Sequence, residues 1–280
     1  MQEGKFSRTA RRVAIRRAAH QLLDQPKVLD DPLALRIIGT EAAEELRSNP
    51  KEGPSFSRAF RAFMVARSRY AEDELARAVG HSVRQYVVLG AGLDTFAYRN
   101  PYPGLRVFEV DHPATQAWKR EQLQAAGIAI PPSLTFVPID FEQQTLADGL
   151  GQSGFDLSAA FFSWLGVTPY LTREACMITL GFVAKMPVGS GVVFDFAVDP
   201  ALLNAGQRQA LDALSQRVAR YGEPFQLFFD PGKLQDELKE IGFCRTEFLQ
   251  GKELNARYFK NREDGLMVRG GLGHLMGAWV

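Results

Sequence analysis

Two glycines flank an alanine at Gly90-Ala91-Gly92, directly after the apolar run 85–89, and Asp111 closes the next apolar run 19 residues beyond Gly92. A glycine turn lets backbone approach a ligand closely and exposes the amides that follow it. A carboxylate at the end of the neighbouring strand can accept hydrogen bonds from ribose hydroxyls. Asp140 ends the third such run and precedes Phe141, which sets an acceptor for an exocyclic amine beside an apolar surface for a base. Together these residues describe a nucleoside site of the adenosine type.

Two cofactor classes compete for such a site. The stretch GAGLDT places Thr95 where a dinucleotide fingerprint needs a third glycine, and no Tyr-x-x-x-Lys pair occurs in the chain. An NAD-dependent dehydrogenase stays a rival on the strand-glycine-acid layout alone. S-adenosylmethionine carries no pyrophosphate, so the turn need only accommodate its methionyl part, and it fits better. The two cysteines, Cys176 and Cys244, lie far apart with no Cys/His cluster; they read as core residues in a reducing compartment, and no metal is expected.

The elements that must position these residues follow from the pattern. Runs at 85–89, 105–110, 134–139, 159–163 and 191–198 are short, apolar and β-branched or aromatic, and all but the fourth are followed directly by an aspartate or a glycine. Helical stretches at 113–126, 143–150, 172–186, 200–220 and 231–241 separate or follow them. Such alternation predicts right-handed crossovers and a doubly wound, mostly parallel α/β sheet with ligands beyond the carboxyl ends of its strands. Residues 7–80 read as helices broken at Asp31-Pro32 and from Asn49 to Pro54. No linker or repeat divides the chain, so residues 1–280 are expected to form a single domain, with a helical extension at 1–80 and a core at 81–280.

Composition narrows the classes. The chain is 46% hydrophobic and 23% charged, as soluble globular proteins are, and its net charge of +1 gives no global field for nucleic acid or an anionic membrane. The apolar stretches are too short or too broken by proline and glycine to span a bilayer. The basic first twenty residues lack an apolar core for secretion and read as a basic helix, with a transit peptide as the alternative. The expected location is cytoplasmic, and no membrane or nucleic-acid partner is expected.

The segments LGAGLDTFAYR (89–99), FEVDHPATQAWKR (108–120), VPIDFE (137–142), FFSWLGVTPYLT (161–172) and NARYF (255–259) resemble the bacterial S-adenosylmethionine-dependent methyltransferases of the leucine carboxyl methyltransferase family. SRTARRVAIRRAA (7–19), DDPLA (30–34) and ARSRYAEDEL (66–75) resemble its N-terminal helices, so the likeness spans nearly the whole chain. The resemblance implies a Rossmann-like methyltransferase sheet of seven strands, the last antiparallel, with extra N-terminal helices covering the active site. Its late strands would be 246–249 and 274–279.

Residue by residue, the resemblance implies that Arg67 grips the methionyl carboxylate and that Gly90, Ala91 and Gly92 form the close-approach turn. Asp111 would hold the ribose hydroxyls, and Asp140 and Phe141 the adenine. One departure stands out: Leu165 precedes Gly166-Val167 where the family commonly has Glu, so a carboxylate expected near the sulfonium or amino group is missing. A catalytically weakened cofactor-binding module is therefore a second rival.

Methyl transfer from a sulfonium is an in-line displacement that needs the acceptor held at ~3–3.5 Å with water excluded. A carboxylate, with a reference pKa of ~4, is already ionised at neutral pH, whereas a phenol at ~10 calls for a base. Of the four histidines only His112 lies beside a site strand end, which favours a carboxyl acceptor. Arg257 and Tyr258 are candidates to anchor that acceptor, since Arg offers a bidentate fork and Tyr a hydroxyl. Trp164 and Tyr170 lie far enough past the fourth strand to line its pocket. The expectation is an O-methyltransferase acting on a carboxyl or hydroxyl group of a small molecule.

Overall fold

A computed structural model describes residues 7–49, 55–140, 144–220, 222–271 and 273–280. Seven strands, β1 (Gln85–Leu89), β2 (Arg106–Asp111), β3 (Leu134–Pro138), β4 (Phe161–Trp164), β5 (Gly191–Ala197), β6 (Arg245–Leu249) and β7 (Gly273–Trp279), form one sheet in the order β3-β2-β1-β4-β5-β7-β6. The first five are parallel, and β7 runs antiparallel between β5 and β6. The chain enters at β1, winds out to β3 and returns to β4 beside β1. The ends of β1 and β4 are therefore the switch point, where the following loops diverge and leave a crevice.

Among the described residues ten α-helices accompany the sheet: α1 (Arg8–Leu23), α2 (Ala34–Ile37), α3 (Thr40–Ser48), α4 (Ser55–Gly80), α5 (Pro113–Ala125), α6 (Leu146–Gly151), α7 (Arg173–Ala184), α8 (Ala205–Ala219), α9 (Pro231–Glu240) and α10 (Gly251–Tyr258). Helix α10 was not expected from the sequence. It is short and polar, and a reciprocal cap between Gln250 and Glu253 starts it.

Strand residues alternate between two cores, as a pleated sheet requires. Val87, Phe108, Phe162 and Phe194 pack with Leu180 and Val183 of α7 and Leu234 and Leu238 of α9. Tyr86, Val88, Phe161 and Val193 pack on the opposite face with Ala62, Met64, Val65 and Tyr70 of α4. Helix α4 thus covers the sheet directly. A third cluster joins Ala14 and Ala18 of α1, Ile37 and Ala42 to Leu93, which follows the glycine turn. Cys176 is buried, but Cys244 is exposed, correcting the expectation that both are core residues. Cys244 immediately precedes β6, the strand at the sheet's edge, which buries only Leu249 fully. Among the described residues no helix is long and apolar enough to cross a membrane.

Candidate active site

A cavity of about 520 Å³ opens at the switch point. Its lining brings together Arg67 from α4, Gly90, Ala91 and Gly92 after β1, Asp111 at the end of β2, Asp140 after β3, and Leu165 and Tyr170 after β4. Phe141 lies outside the described residues.

Gly90 and Gly92 both adopt positive φ, +66° and +44°, which L side chains rarely tolerate. A Cβ on Gly90 would run into Val167 Cγ2, and one on Gly92 would stand 3.0 Å from Ala10 Cβ on α1. The turn is closed by Asp111, whose Oδ2 accepts the Gly92 N–H at 2.6 Å and whose Oδ1 accepts the His112 N–H at 2.7 Å. Burial pushes the Asp111 carboxyl above the usual range, and the two amide donors oppose that. Asp111 does not cap α5; His112 does, its Nδ1 accepting the Ala114 N–H at 3.2 Å. That bond leaves the neutral ring's proton on Nε2, 4.0 Å from Asp140 Oδ2. Gly90→Ala is expected to lower stability by about 1–2 kcal/mol from the left-handed backbone alone, and further from the clash. Thermal unfolding checks this, and adding Val167→Ala should recover only the clash component.

Beside the turn, Arg67 is nearly fully buried and donates from Nη1 to Asp195 Oδ2 at 2.5 Å, while its Nε has no hydrogen-bond partner among the described residues. Asp195 Oδ1 accepts the Gly166 N–H at 2.5 Å, and the Asp195 carbonyl accepts the Thr168 hydroxyl at 2.6 Å. Gly166, with φ +78°, lets the guanidinium lie against the chain, since a Cβ there would sit 2.9 Å from Arg67 Nη2. Leu165 lacks a carboxylate, yet the turn that follows it is held by one from β5. The sequence offered a signal for Asp195, a lone acid inside the buried run GVVFDFAV, because a buried charge needs a partner.

The N-terminal helices are fastened over this site by charge. Arg17, buried on α1, reaches Asp94 at 2.9 Å and Asp31 at 2.7 Å, and Thr95 shares the cluster. Arg99 completes it, held by Glu72 of α4 and lying 3.5 Å from Asp31. Burial alone would raise the Asp94 carboxyl, but Arg17 beside it brings it below the usual range. Further along α1, His20 and Arg61 bind buried Asp24 and, against its burial, hold its carboxyl down at about 2. At the other end Thr9 bonds to Glu223, which with Gln226 forms part of the cavity rim. Sequence reasoning missed Arg17, Glu72 and Glu223, because only the packing of α1 brings residues so distant in the chain together.

Arg257 and Tyr258 do not reach the cavity. Arg257 donates to Glu247 at 2.8 Å, and the Tyr258 hydroxyl donates to Asp73 of α4 at 2.9 Å. Their place on α10 turns them toward the end of α4, so they tie these elements together instead of anchoring an acceptor. Trp164 is fully buried in the core and does not line the cavity either, since it is still part of β4. Tyr170 does line it, with burial pushing its phenol upward.

A doubly wound sheet with one antiparallel strand, a glycine turn after β1 and aspartates closing β2 and following β3 defines a Rossmann-like methyltransferase. A solved structure from Thermobifida fusca YX, described as a methyltransferase, has the same fold, with a TM-score of 0.59 at 16% identity, covering 99% of this chain and 96% of its own. The model of the leucine carboxyl methyltransferase family matches residues 10–184, and the chain belongs to that family. YktD of Bacillus subtilis (strain 168), named for S-adenosyl-L-methionine-dependent methyl transfer, is 34% identical over 291 residues, covering 95% of each chain. A relative of the same description from Mycobacteroides abscessus (strain ATCC 19977) is 35% identical over 171 residues, 60% of this chain and 56% of its own. The protein is an S-adenosylmethionine-dependent methyltransferase.

Proposed function

We propose that the enzyme transfers the methyl group to an oxygen of a small molecule, with a carboxylate as the preferred acceptor. The cavity's own acids carry this reading. Asp111 accepts two amides, Asp94 pairs with Arg17, Glu72 with Arg99 and Glu223 with Thr9, while Asp140 faces the His112 N–H. His112 Nδ1 is occupied by an amide, and burial keeps the Tyr170 phenol protonated. With its bases committed, the site suits an acceptor that arrives ionised.

The residues fit the cofactor on two observations: the side-chain-free cradle at Gly90 and Gly92, and the buried Arg67 Nε–H, which has no partner among the described residues. Arg67 would hold the methionyl carboxylate, and the Gly90-Ala91-Gly92 turn would make room for the chain attached to it. Asp111 would accept the ribose hydroxyls with the lone pairs its two amides leave open. Asp140 would accept the adenine amine, and Leu165 lines the same cavity. When bound, S-adenosylmethionine supplies an electrophilic methyl group on a sulfonium. The chain's own task is to orient the acceptor and exclude water, which α1 serves by closing the rim at Glu223.

Thermal unfolding with S-adenosylhomocysteine, and with NAD in parallel, tests the assignment. At ~100 times its dissociation constant a ligand adds ~2.7 kcal/mol, raising the midpoint by roughly 5–10 °C. A shift with the thioether alone is expected; a shift with NAD alone, or with neither, overturns the reading.

A further inference from the structure

The methionyl end of S-adenosylmethionine carries a carboxylate and an ammonium group. Arg67 answers the first, and the second calls for an acid with an oxygen to spare. Most of the cavity's acids have none. Asp111 gives both oxygens to amides, Asp94 gives one to Arg17 and the other to the Phe96 N–H, and Glu72 gives both to Arg99. Asp140 follows the edge strand β3, with β2 and β1 between it and β4, whereas Arg67 lies against Gly166 after β4.

Glu223 differs from these. It is half-buried on the cavity wall, its Oε2 accepts from the Thr9 amide and hydroxyl, and its Oε1 accepts no hydrogen bond among the described residues. The fold also sets it on the methionyl side. The Gln226 and Leu227 amides donate to the Pro169 carbonyl at 2.7 and 3.2 Å, and the Gln226 side chain donates to the Tyr170 carbonyl at 2.9 Å. The Phe225 and Tyr170 rings stand 5.3 Å apart. The segment after α8 is thus fastened to the loop after β4, the same loop that Arg67 touches at Gly166. Tyr170 marks where the two charges meet: burial raises its phenol, the Thr9 hydroxyl opposes that, Glu223 raises it further and Arg67 lowers it. An acid and a guanidinium therefore flank one ring on one wall of the cavity.

We propose that Glu223 binds the ammonium group of the cofactor's methionyl end, beside the carboxylate held by Arg67. The proposal rests on the cofactor assignment above. A zwitterion then meets a matching pair of charges, and Thr9 orients the acid by holding its Oε2. With an ammonium on Oε1, Glu223 is committed as the other acids are.

The test is a calorimetric titration that compares S-adenosylhomocysteine with its desamino analogue, which keeps the carboxylate and the thioether but lacks the ammonium group. A hydrogen bond between charged partners is worth about 10- to 100-fold in affinity, and a rim position partly open to solvent takes the lower figure. The native protein should therefore prefer S-adenosylhomocysteine by about tenfold. Glu223→Gln removes the charge but keeps an oxygen for Thr9. It should weaken S-adenosylhomocysteine by about tenfold and leave the analogue within about twofold of native, so that the preference disappears. Glu223→Asp keeps the charge on a shorter arm and should retain part of the preference. If Glu223→Gln weakens both ligands equally, or weakens neither, Glu223 only shapes the rim, and the proposal falls while the cofactor assignment stands. Failure of S-adenosylhomocysteine to bind the native protein overturns that assignment with it.

Discussion

Replacing Asp111 with alanine is expected to weaken binding of S-adenosylhomocysteine by about two to four orders of magnitude in a calorimetric titration. Each hydrogen bond from a ribose hydroxyl to a charged acceptor is worth about 1.5–3 kcal/mol, and two are lost. A second loss compounds the first. The carboxylate also accepts the Gly92 and His112 amides, so its removal frees the turn that must hold its shape before ligand arrives. Asp111→Asn keeps the volume but offers one oxygen where the native side chain offers two, and should fall between native and alanine. An unchanged dissociation constant in Asp111→Ala would remove this residue from the site.

Asp195→Ala should lower the unfolding midpoint by about 10 °C and weaken the same ligand. Breaking a buried pair from one side leaves an uncompensated charge, a cost of about 3–5 kcal/mol, and a chain of this size loses roughly 2–4 °C per kcal/mol. Here the stranded charge is Arg67, which lines the cavity, and the Gly166 amide loses its acceptor at the same time. The double variant Arg67→Met, Asp195→Leu removes both charges and should recover much of the stability, but it should not recover binding. Stability and affinity are thereby separated. If Asp195→Ala unfolds at the native temperature, the pair is not the structural link between α4 and the turn after β4.

The five parallel strands and the residues at their ends were legible in the sequence because buried parallel strands are short, apolar and punctuated, whereas β6 and β7 were expected only from the family resemblance. Gly90, Gly92, Asp111 and Asp140 could be placed from local pattern alone, since a glycine needed at positive φ and an acid closing an apolar run are visible without any tertiary contact. Helix α10 was not, because eight residues with a single fully buried side chain, Leu254, carry little periodic signal and its place is set by contacts with α4. For the same reason Arg257 and Tyr258 looked like acceptor anchors: an arginine and a tyrosine announce hydrogen-bonding capacity, not the direction in which a helix will point them. Asp195 shows the converse, a side chain that reads as an anomaly within a strand until Arg67, 128 residues away in the chain, is packed against it. The sequence by itself determined the five parallel strands and the acids and glycines that face their crevice, because these depend on backbone conformation and strand ends. Which charges close over that crevice only the tertiary structure decided, because each pairs side chains whose meeting depends on how α1, α4 and α8 pack.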